Sequence, residues 1–332
     1  MNEFVSFIAF AIKFSTVFIF GATGEIINQK SGHLNMGTPG IMYLGAIGGV
    51  LGEAIYCTSI PAGTALNPLL IVLIPILFAI LFGAVGGLIF SFFTVTLHCN
   101  QNVTGLTLTT FGTALSKLLI DPITKLRIAK GSVHIISDAG IALQSIIPSS
   151  FYSKLGWFGE IFLSQSLFTY LGLVLAIVTA IVIAKTRIGL NLRAVGENAA
   201  SADSAGINVN KYRYVATIIG GAIAGIGGAF FELDQVKGMI NAGDAVDAYG
   251  WLALCIVIFA MWKPLLAIAA SFLFAFLSSL PYYMSGGGVL SYIFKMSPYI
   301  FTLLVLIGLS LFENKRNQPP ANLGISYFRE ER

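Results

Sequence analysis

The chain has 332 residues, 56% of them hydrophobic and only 10% charged, where a soluble chain carries about 25% charged residues. Its net charge of +4, from 19 basic against 15 acidic residues, is too small and too scattered to make a nucleic-acid surface. Most of this surface must face lipid, which excludes a soluble enzyme and a nucleic-acid-binding protein.

A bilayer core of about 30 Å takes about 20 apolar helical residues to cross, because lipid offers no partner to an unpaired backbone amide. The first segment that qualifies is 4–24. It follows Met1-Asn2-Glu3 with no basic run before it, so it reads as a span and not as a cleaved signal. Spans follow at 37–57, 69–97, 102–120, 166–185 and 214–233. A shorter apolar run, Trp251–Met261, ends at Trp262-Lys263-Pro264, where a charge and a helix-breaking proline divide it from the next span, 264–280; the last span is 296–313. The expected fold is all-α: a polytopic transmembrane helical bundle of about nine passes, counting short or broken helices, with its termini on opposite sides. Residues 1–313 are read as one membrane domain and 314–332 as a cytoplasmic tail.

Charge orients the bundle. The segment 186–213 carries Arg187, Arg193, Lys211 and Arg213, with Lys185 at its edge, against Glu197 and Asp203, and basic loops stay in the cytoplasm. Glu232, Asp234, Asp244 and Asp247 against Lys237 read as an acidic loop on the other face. Lys315, Arg316, Arg329 and Arg332 return the tail to the inside. The loop 121–164 is expected outside, although Lys125, Arg127, Lys130 and Lys154 outnumber Asp121, Asp138 and Glu160 in it. Its apolar stretch Ile141–Ile147 suits packing at the membrane surface. A cell membrane, crossed many times, is the expected location.

Glycine, at 36 of 332 residues, clusters inside the spans. Gly45/Gly49, Gly83/Gly87 and Gly221/Gly225 are GxxxG pairs that let helices approach closely. Pro68, Pro75, Pro264, Pro281 and Pro298 predict kinked or interrupted helices. Cys57, Cys99 and Cys255 have no CxxC or Cys/His spacing and read as buried thiols, not as a disulfide framework or a metal site.

No GxxxxGK[ST] loop is present to cradle nucleotide phosphates, and no HExxH or GxSxG motif points to a hydrolase. No catalytic residue, bound cofactor or metal is expected. A carrier driven by an ion gradient would place ionisable groups deep in the membrane. Lys13 and Glu53 are the visible examples, and a structural or snorkelling role suits them better than a relay.

The most informative polar stretch is Leu190–Val209. Asn198 is placed to N-cap a short helix, small residues run from Ala199 to Ala205, and Gly206 is placed to end it. So smooth a helix buries little by itself and suits docking into a partner's groove, although an ordinary capped loop helix would carry the same residues.

Two blocks carry a resemblance. Arg193-Ala-Val-Gly-Glu-Asn198 followed by Ala205-Gly-Ile207 resembles the coupling segment of ATP-binding cassette importer permeases of the branched-chain amino acid and simple-sugar group. Ala199 stands where that family often has proline. Gly24-Glu-Ile-Ile-Asn-Gln-Lys-Ser-Gly-His-Leu-Asn-Met-Gly37, running into Gly40–Ala46, resembles the nucleoside branch, and Pro39 stands where relatives commonly carry a glutamate. Gln101–Gly105, Trp262–Pro264 and Pro320–Tyr327 agree with the same family in the same order.

The resemblance implies a transport subunit with no covalent chemistry of its own. A second related permease pairs with it, an ATP-binding subunit hydrolyses ATP beneath, and an extracytoplasmic solute-binding lipoprotein delivers a nucleoside-like or simple-sugar-like solute. Arg193, Gly196, Glu197, Asn198 and Gly206 are then the ATPase-coupling residues. Asn102, Thr104, Thr107, Thr109 and Thr110, at the start of the fourth span, are the expected solute path, since hydroxyls and amides suit a neutral polyhydroxyl cargo. Threonines of this kind also serve as hydrogen-bonding groups between helices. The alternatives are a secondary transporter driven by an ion gradient and a membrane assembly protein without transport.

Overall fold

The computed structural model describes residues 3–61, 66–129, 152–236, 243–283, 289–311 and 318–328. In chain order its helices are α1 (Glu3–Lys30), α2 (Thr38–Ser59), α3 (Leu70–Ser91), α4 (Gln101–Ala129), α5 (Gly156–Phe162), α6 (Leu167–Lys185), α7 (Arg187–Glu197), α8 (Ala199–Ser204), α9 (Val209–Phe230), α10 (Gly243–Phe259), α11 (Pro264–Tyr283) and α12 (Val289–Leu311). Single π-helical turns extend α3 over Phe92–Thr96 and α9 over Phe231–Gln235. Among the described residues seven helices are long and apolar enough to cross a membrane, and two shorter apolar stretches, Tyr249–Phe259 and Tyr292–Gly308, lie in α10 and α12. The all-α, many-pass bundle expected from hydropathy is therefore what forms.

The boundaries differ where polar residues find partners inside the bundle. α1 runs beyond the apolar segment through Gly24–Lys30, because Glu25, Asn28 and Gln29 bond to one another and stay buried. α4 continues past Asp121 and Pro122 to Ala129, so the first part of the predicted outer loop is helix. Ile141–Ile147 lies outside the described residues. α10 begins at Gly243, ahead of the predicted apolar run, and the break before α11 falls at Ala260–Lys263 as Lys263-Pro264 predicted. Cys57 is buried, while Cys99 and Cys255 are half-buried.

The three GxxxG pairs meet one another. A Cβ on Gly45 would lie 2.2 Å from Gly225 Cα, one on Gly83 would lie 2.4 Å from Gly221 O, and one on Gly87 would lie 2.4 Å from Thr217 O. α2, α3 and α9 thus touch backbone to backbone, the close approach that small residues permit in lipid, where van der Waals packing replaces the hydrophobic effect. α1 packs against the other side of α9 and also against α10 and α11. The result is graded burial: 89% of the most apolar window of α2 is buried, against 28% for α4 and for α11.

Cross-contacts define two ends of the bundle. At one end the N-terminal half of α1 meets the start of α6 through Thr16 and Thr169, hydroxyls 2.9 Å apart, and the end of α11 through Phe7 and Tyr283, ring centroids 5.0 Å apart. Toward the other end the last third of α1 crosses the middle of α9, where a Cβ on Gly24 would lie 2.3 Å from Gly220 O. α7, α8, the loop 31–37 and the segment 318–328 gather at this second end.

Glu232 and Asp234 do not form an exterior acidic loop. Both sit on the π-turn that extends α9 and both are buried. Asp234 accepts a 2.6 Å hydrogen bond from Lys13 Nζ, and this ion pair compensates two charges that lipid would not tolerate singly. Asp244 and Asp247 lie in the first turns of α10, and Lys237 lies outside the described residues.

Candidate functional site

The site is built at the second end, on α7 and α8. Thr186 caps α7 by accepting a hydrogen bond from Gly189 N at 3.1 Å. Leu192, Val195 and Gly196 turn inward and Arg193 and Glu197 outward. Asn198 does two jobs in one residue: its N–H donates to Ala194 O at 2.9 Å to close α7, and its Oδ1 accepts from Ser201 N at 2.9 Å to open α8. Gly206, at φ +83, lets Ile207 N return to Ala202 O at 3.0 Å, and Asn208 then caps α9 through Lys211 N at 2.9 Å. The predicted capped helix of small residues is present. Val195, Ala199, Ala202 and Val209 close a small apolar cluster beneath it, with Tyr327 against its edge.

Of the five expected coupling residues, Arg193, Glu197, Asn198 and Gly206 are exposed and Gly196 is buried. Gly196 backs onto the end of α1, where a Cβ would fall 2.4 Å from Lys30 O. The segment therefore has an outward face of charged and small residues and an inward face fixed against α1. The segment 318–328 crosses it. Asn322 N donates to Gly196 O at 2.9 Å, Ala321 N to Glu197 Oε2 at 3.4 Å, and the Tyr327 hydroxyl to Asp203 Oδ2 at 2.9 Å. Between this segment and the α8–α9 junction lies a cavity of about 600 Å³, lined by His98, Asp203, Asn208, Asn210, Tyr327 and Phe328.

The 24–37 block lies directly behind, and its polar residues serve one another. Glu25 is fully buried and accepts from Gln29 Nε2 at 2.9 Å, Asn28 Nδ2 at 3.0 Å, Thr38 Oγ1 at 2.8 Å and Asn35 N at 3.3 Å. Four donors on one carboxylate fold the loop 31–37 back onto α1 and start α2 at Thr38. His33 is buried within 3.0 Å of Thr217 Oγ1. Because Thr217 donates its hydroxyl hydrogen to Arg213 O, His33 Nδ1 is the donor in that pair. Burial pushes the His33 imidazole down to about 3, with the neighbouring Arg213 charge acting in the same direction.

The five expected path residues divide between two faces of α4. Thr109 is buried and donates to Met36 O at 3.2 Å, so it ties α4 to the loop 31–37. Asn102, Thr107 and Thr110 are exposed and Thr104 is half-buried. The hydroxyls of Thr104, Thr107 and Thr110 donate to carbonyls one turn back, at 2.8, 2.9 and 2.8 Å. Thr104 and Thr107 border an apolar groove of about 580 Å³ with Ile89, Phe93, Val103, Leu108 and Phe111. Among the described residues no group of three His, Cys, Asp or Glu side chains is arranged to hold a metal.

Sequence reasoning missed that Glu25, Glu232 and Asp234 are each buried inside the bundle. The legible signal was the run of polar residues that continues an apolar helix from Glu25 to Lys30; the partners lie up to 221 positions away in the chain, as Lys13 and Asp234 do.

Comparison with known proteins bears on the whole of this architecture. The chain is 31% identical to the nucleoside ABC transporter permease protein NupC of Lactococcus lactis, over 100% of this chain and 99% of that protein. It is 28% identical to the guanosine ABC transporter permease protein NupQ of Bacillus subtilis, over 97% and 96% of the two chains. The nucleoside ABC transporter permease protein NupB of Lactococcus lactis is 22% identical over 79% of this chain and 68% of its own. No solved structure matches. Residues 6–310, from α1 into α12, match the family described as branched-chain amino acid transport system / permease component, and the chain, a multi-pass membrane protein, belongs to that family.

Proposed function

We propose that this chain is one of two related permease subunits of an ATP-binding cassette importer for nucleosides in a bacterial inner membrane. The carrying observation is the α7–α8 segment: a capped helix pair, the second helix built of small residues, that exposes Arg193, Glu197 and Asn198 at one end of the bundle while Gly196 seats it on α1. An ATP-binding subunit docks on that exposed face, which makes this end and the segment 318–328 cytoplasmic and the start of α1 extracytoplasmic. The permease performs no covalent step. ATP-driven closure of its partner displaces α7–α8, and the packed helices pass from one discrete arrangement to another around the solute.

The cargo assignment rests on the likeness to NupC, a nucleoside permease, and NupQ, a guanosine permease, which align with nearly the whole chain. The path lies against the weakly buried face of α4, where Asn102, Thr107 and Thr110 meet the second permease, and a lipoprotein receptor delivers the solute from outside. The test is uptake of labelled guanosine and uridine by vesicles holding both permeases, the ATP-binding subunit and the receptor. Uptake that requires ATP and survives an uncoupler supports the reading. Uptake that collapses with the uncoupler and persists without ATP would overturn it in favour of an ion-gradient carrier, and uptake of a pentose but of neither nucleoside would overturn the cargo.

A further inference from the structure

We propose that residues 318–328 are a working part of the coupling apparatus, a strap that makes α7–α8 and the loop 31–37 move as one body. This rests on the importer reading above and deepens it by naming an element that carries the motion inward.

Two hydrogen bonds define the strap. Asn322 N donates to Gly196 O on α7 at 2.9 Å, and two residues later Gly324 N donates to Gly32 O at 3.1 Å. Both acceptors are backbone carbonyls, so the segment holds the two elements whatever their side chains do. The three meet at Gly32, at φ +84, where a Cβ would stand 3.3 Å from Asn322 O and 3.4 Å from Gly196 Cα. Side chains extend the grip in both directions. Glu197 Oε2 receives Ala321 N, the Tyr327 hydroxyl reaches Asp203 on α8, and the Phe328 ring lies 4.6 Å, centroid to centroid, from His98 just past the end of α3.

α7 is seated on α1 at Gly196 and sends Leu192 into the main core, whereas α8 has little apolar side chain of its own, so the strap stiffens the pair. Helices of 11 and 6 residues are below the length at which isolated helices persist, and the fully buried part of the cluster beneath them is two valines and two alanines, closed at the edge by residues that include Tyr327 of the strap. Motion of a docked partner reaches the membrane interior only through contacts stiff enough to carry it. The strap supplies such a route: α7 to Asn322 and Gly324, to Gly32, and through Asn35 N to the buried Glu25 carboxylate, 3.3 Å away. Tyr327 is accordingly a positioning residue and touches no solute.

The test uses the complete importer in vesicles, with three readouts: co-purification of the ATP-binding subunit, receptor-stimulated ATP hydrolysis, and nucleoside uptake per ATP. A chain ending at Asn317 should keep the ATP-binding subunit and hydrolyse ATP, with uptake per ATP reduced at least tenfold. Tyr327→Phe, which removes one hydroxyl, should reduce uptake per ATP about threefold, and Asp203→Asn combined with it should add little. Wild-type uptake per ATP in the shortened chain would overturn the strap, and so would loss of the ATP-binding subunit from a shortened chain with unchanged uptake per ATP in Tyr327→Phe. Failure of the wild-type importer to take up solute with ATP would instead overturn the function on which the strap rests, so the two failures are distinguishable.

Discussion

Trp262 donates its indole Nε1 hydrogen to Gln29 Oε1 at 2.6 Å, joining residues 233 positions apart. Gln29 passes the connection to Glu25, so the turn between α10 and α11 is tied to the loop that starts α2. That turn is strained, since Met261 and Trp262 have φ of 51 and 55, a region costly for side chains with a Cβ.

The bond holds the strained turn in place, and its loss is measurable. Trp262→Phe keeps a buried ring and removes the donor, leaving Gln29 Oε1 with an unmet lone pair. The cost should be about 1–3 kcal/mol, read as a lower unfolding midpoint of the purified protein in detergent. A shift corresponding to less than about 0.5 kcal/mol would show that the bond adds nothing net.

Backbone contact between α2, α3 and α9 leaves no room for a methyl group. Gly45→Ala puts a Cβ 2.2 Å from Gly225 Cα, and neither backbone is free to yield. Destabilisation of about 1–3 kcal/mol and a reduced folded yield are expected. Gly308→Ala, where nothing lies within 4 Å, is the control and should change stability by less than about 0.5 kcal/mol. Equal effects at the two sites would contradict the packing.

The Lys13–Asp234 pair predicts non-additivity. Lys13→Met leaves the fully buried Asp234 carboxylate without its ammonium, and breaking a buried pair costs about 3–5 kcal/mol; the figure falls toward the lower end because Lys13 keeps 22% of its side chain exposed. Lys13→Met with Asp234→Leu should recover most of that loss, and a double-mutant cycle should return a coupling of more than about 1 kcal/mol. Additive losses would mean that the two charges act independently.

His33 sets a pH dependence. Its folded value of about 3 lies below the ordinary 6.5, so the neutral form is the one the fold accepts. Stability is fully present above about pH 6.5 and is lost as pH falls from there toward 3, because the unfolded chain takes up a proton that the folded one refuses. The slope is at most one proton, about 1.4 kcal/mol per pH unit. Unfolding midpoints between pH 7.5 and 5 should fall more steeply for the natural chain than for His33→Asn, and parallel curves would exclude His33 as the source.

The pattern of what was legible follows from the range of each interaction. Asn198 and Gly206 were readable as the start and stop of α8, because an N-cap reaches three residues and a left-handed glycine serves its own turn. Lys263-Pro264 marked the break between α10 and α11 for the same local reason. The GxxxG pairs announced close packing, but not that the three would meet in a single contact region. Asn102, Thr104, Thr107, Thr109 and Thr110 stand together in the sequence as one expected path, and α4 divides them because Thr109 is turned toward Met36.

The sequence by itself determined that the chain crosses the membrane many times, where most crossings fall, and that a capped small-residue segment projects from one end. Lipid imposes those features residue by residue, through length and apolarity alone. Only the tertiary structure decided what the polar residues do. Glu25, Glu232, Asp234 and His33 are buried because partners from distant helices reach them or because the bundle closes over them. The segment 318–328 takes its meaning from Gly196 and Gly32, carbonyls that no local pattern could have assigned to it.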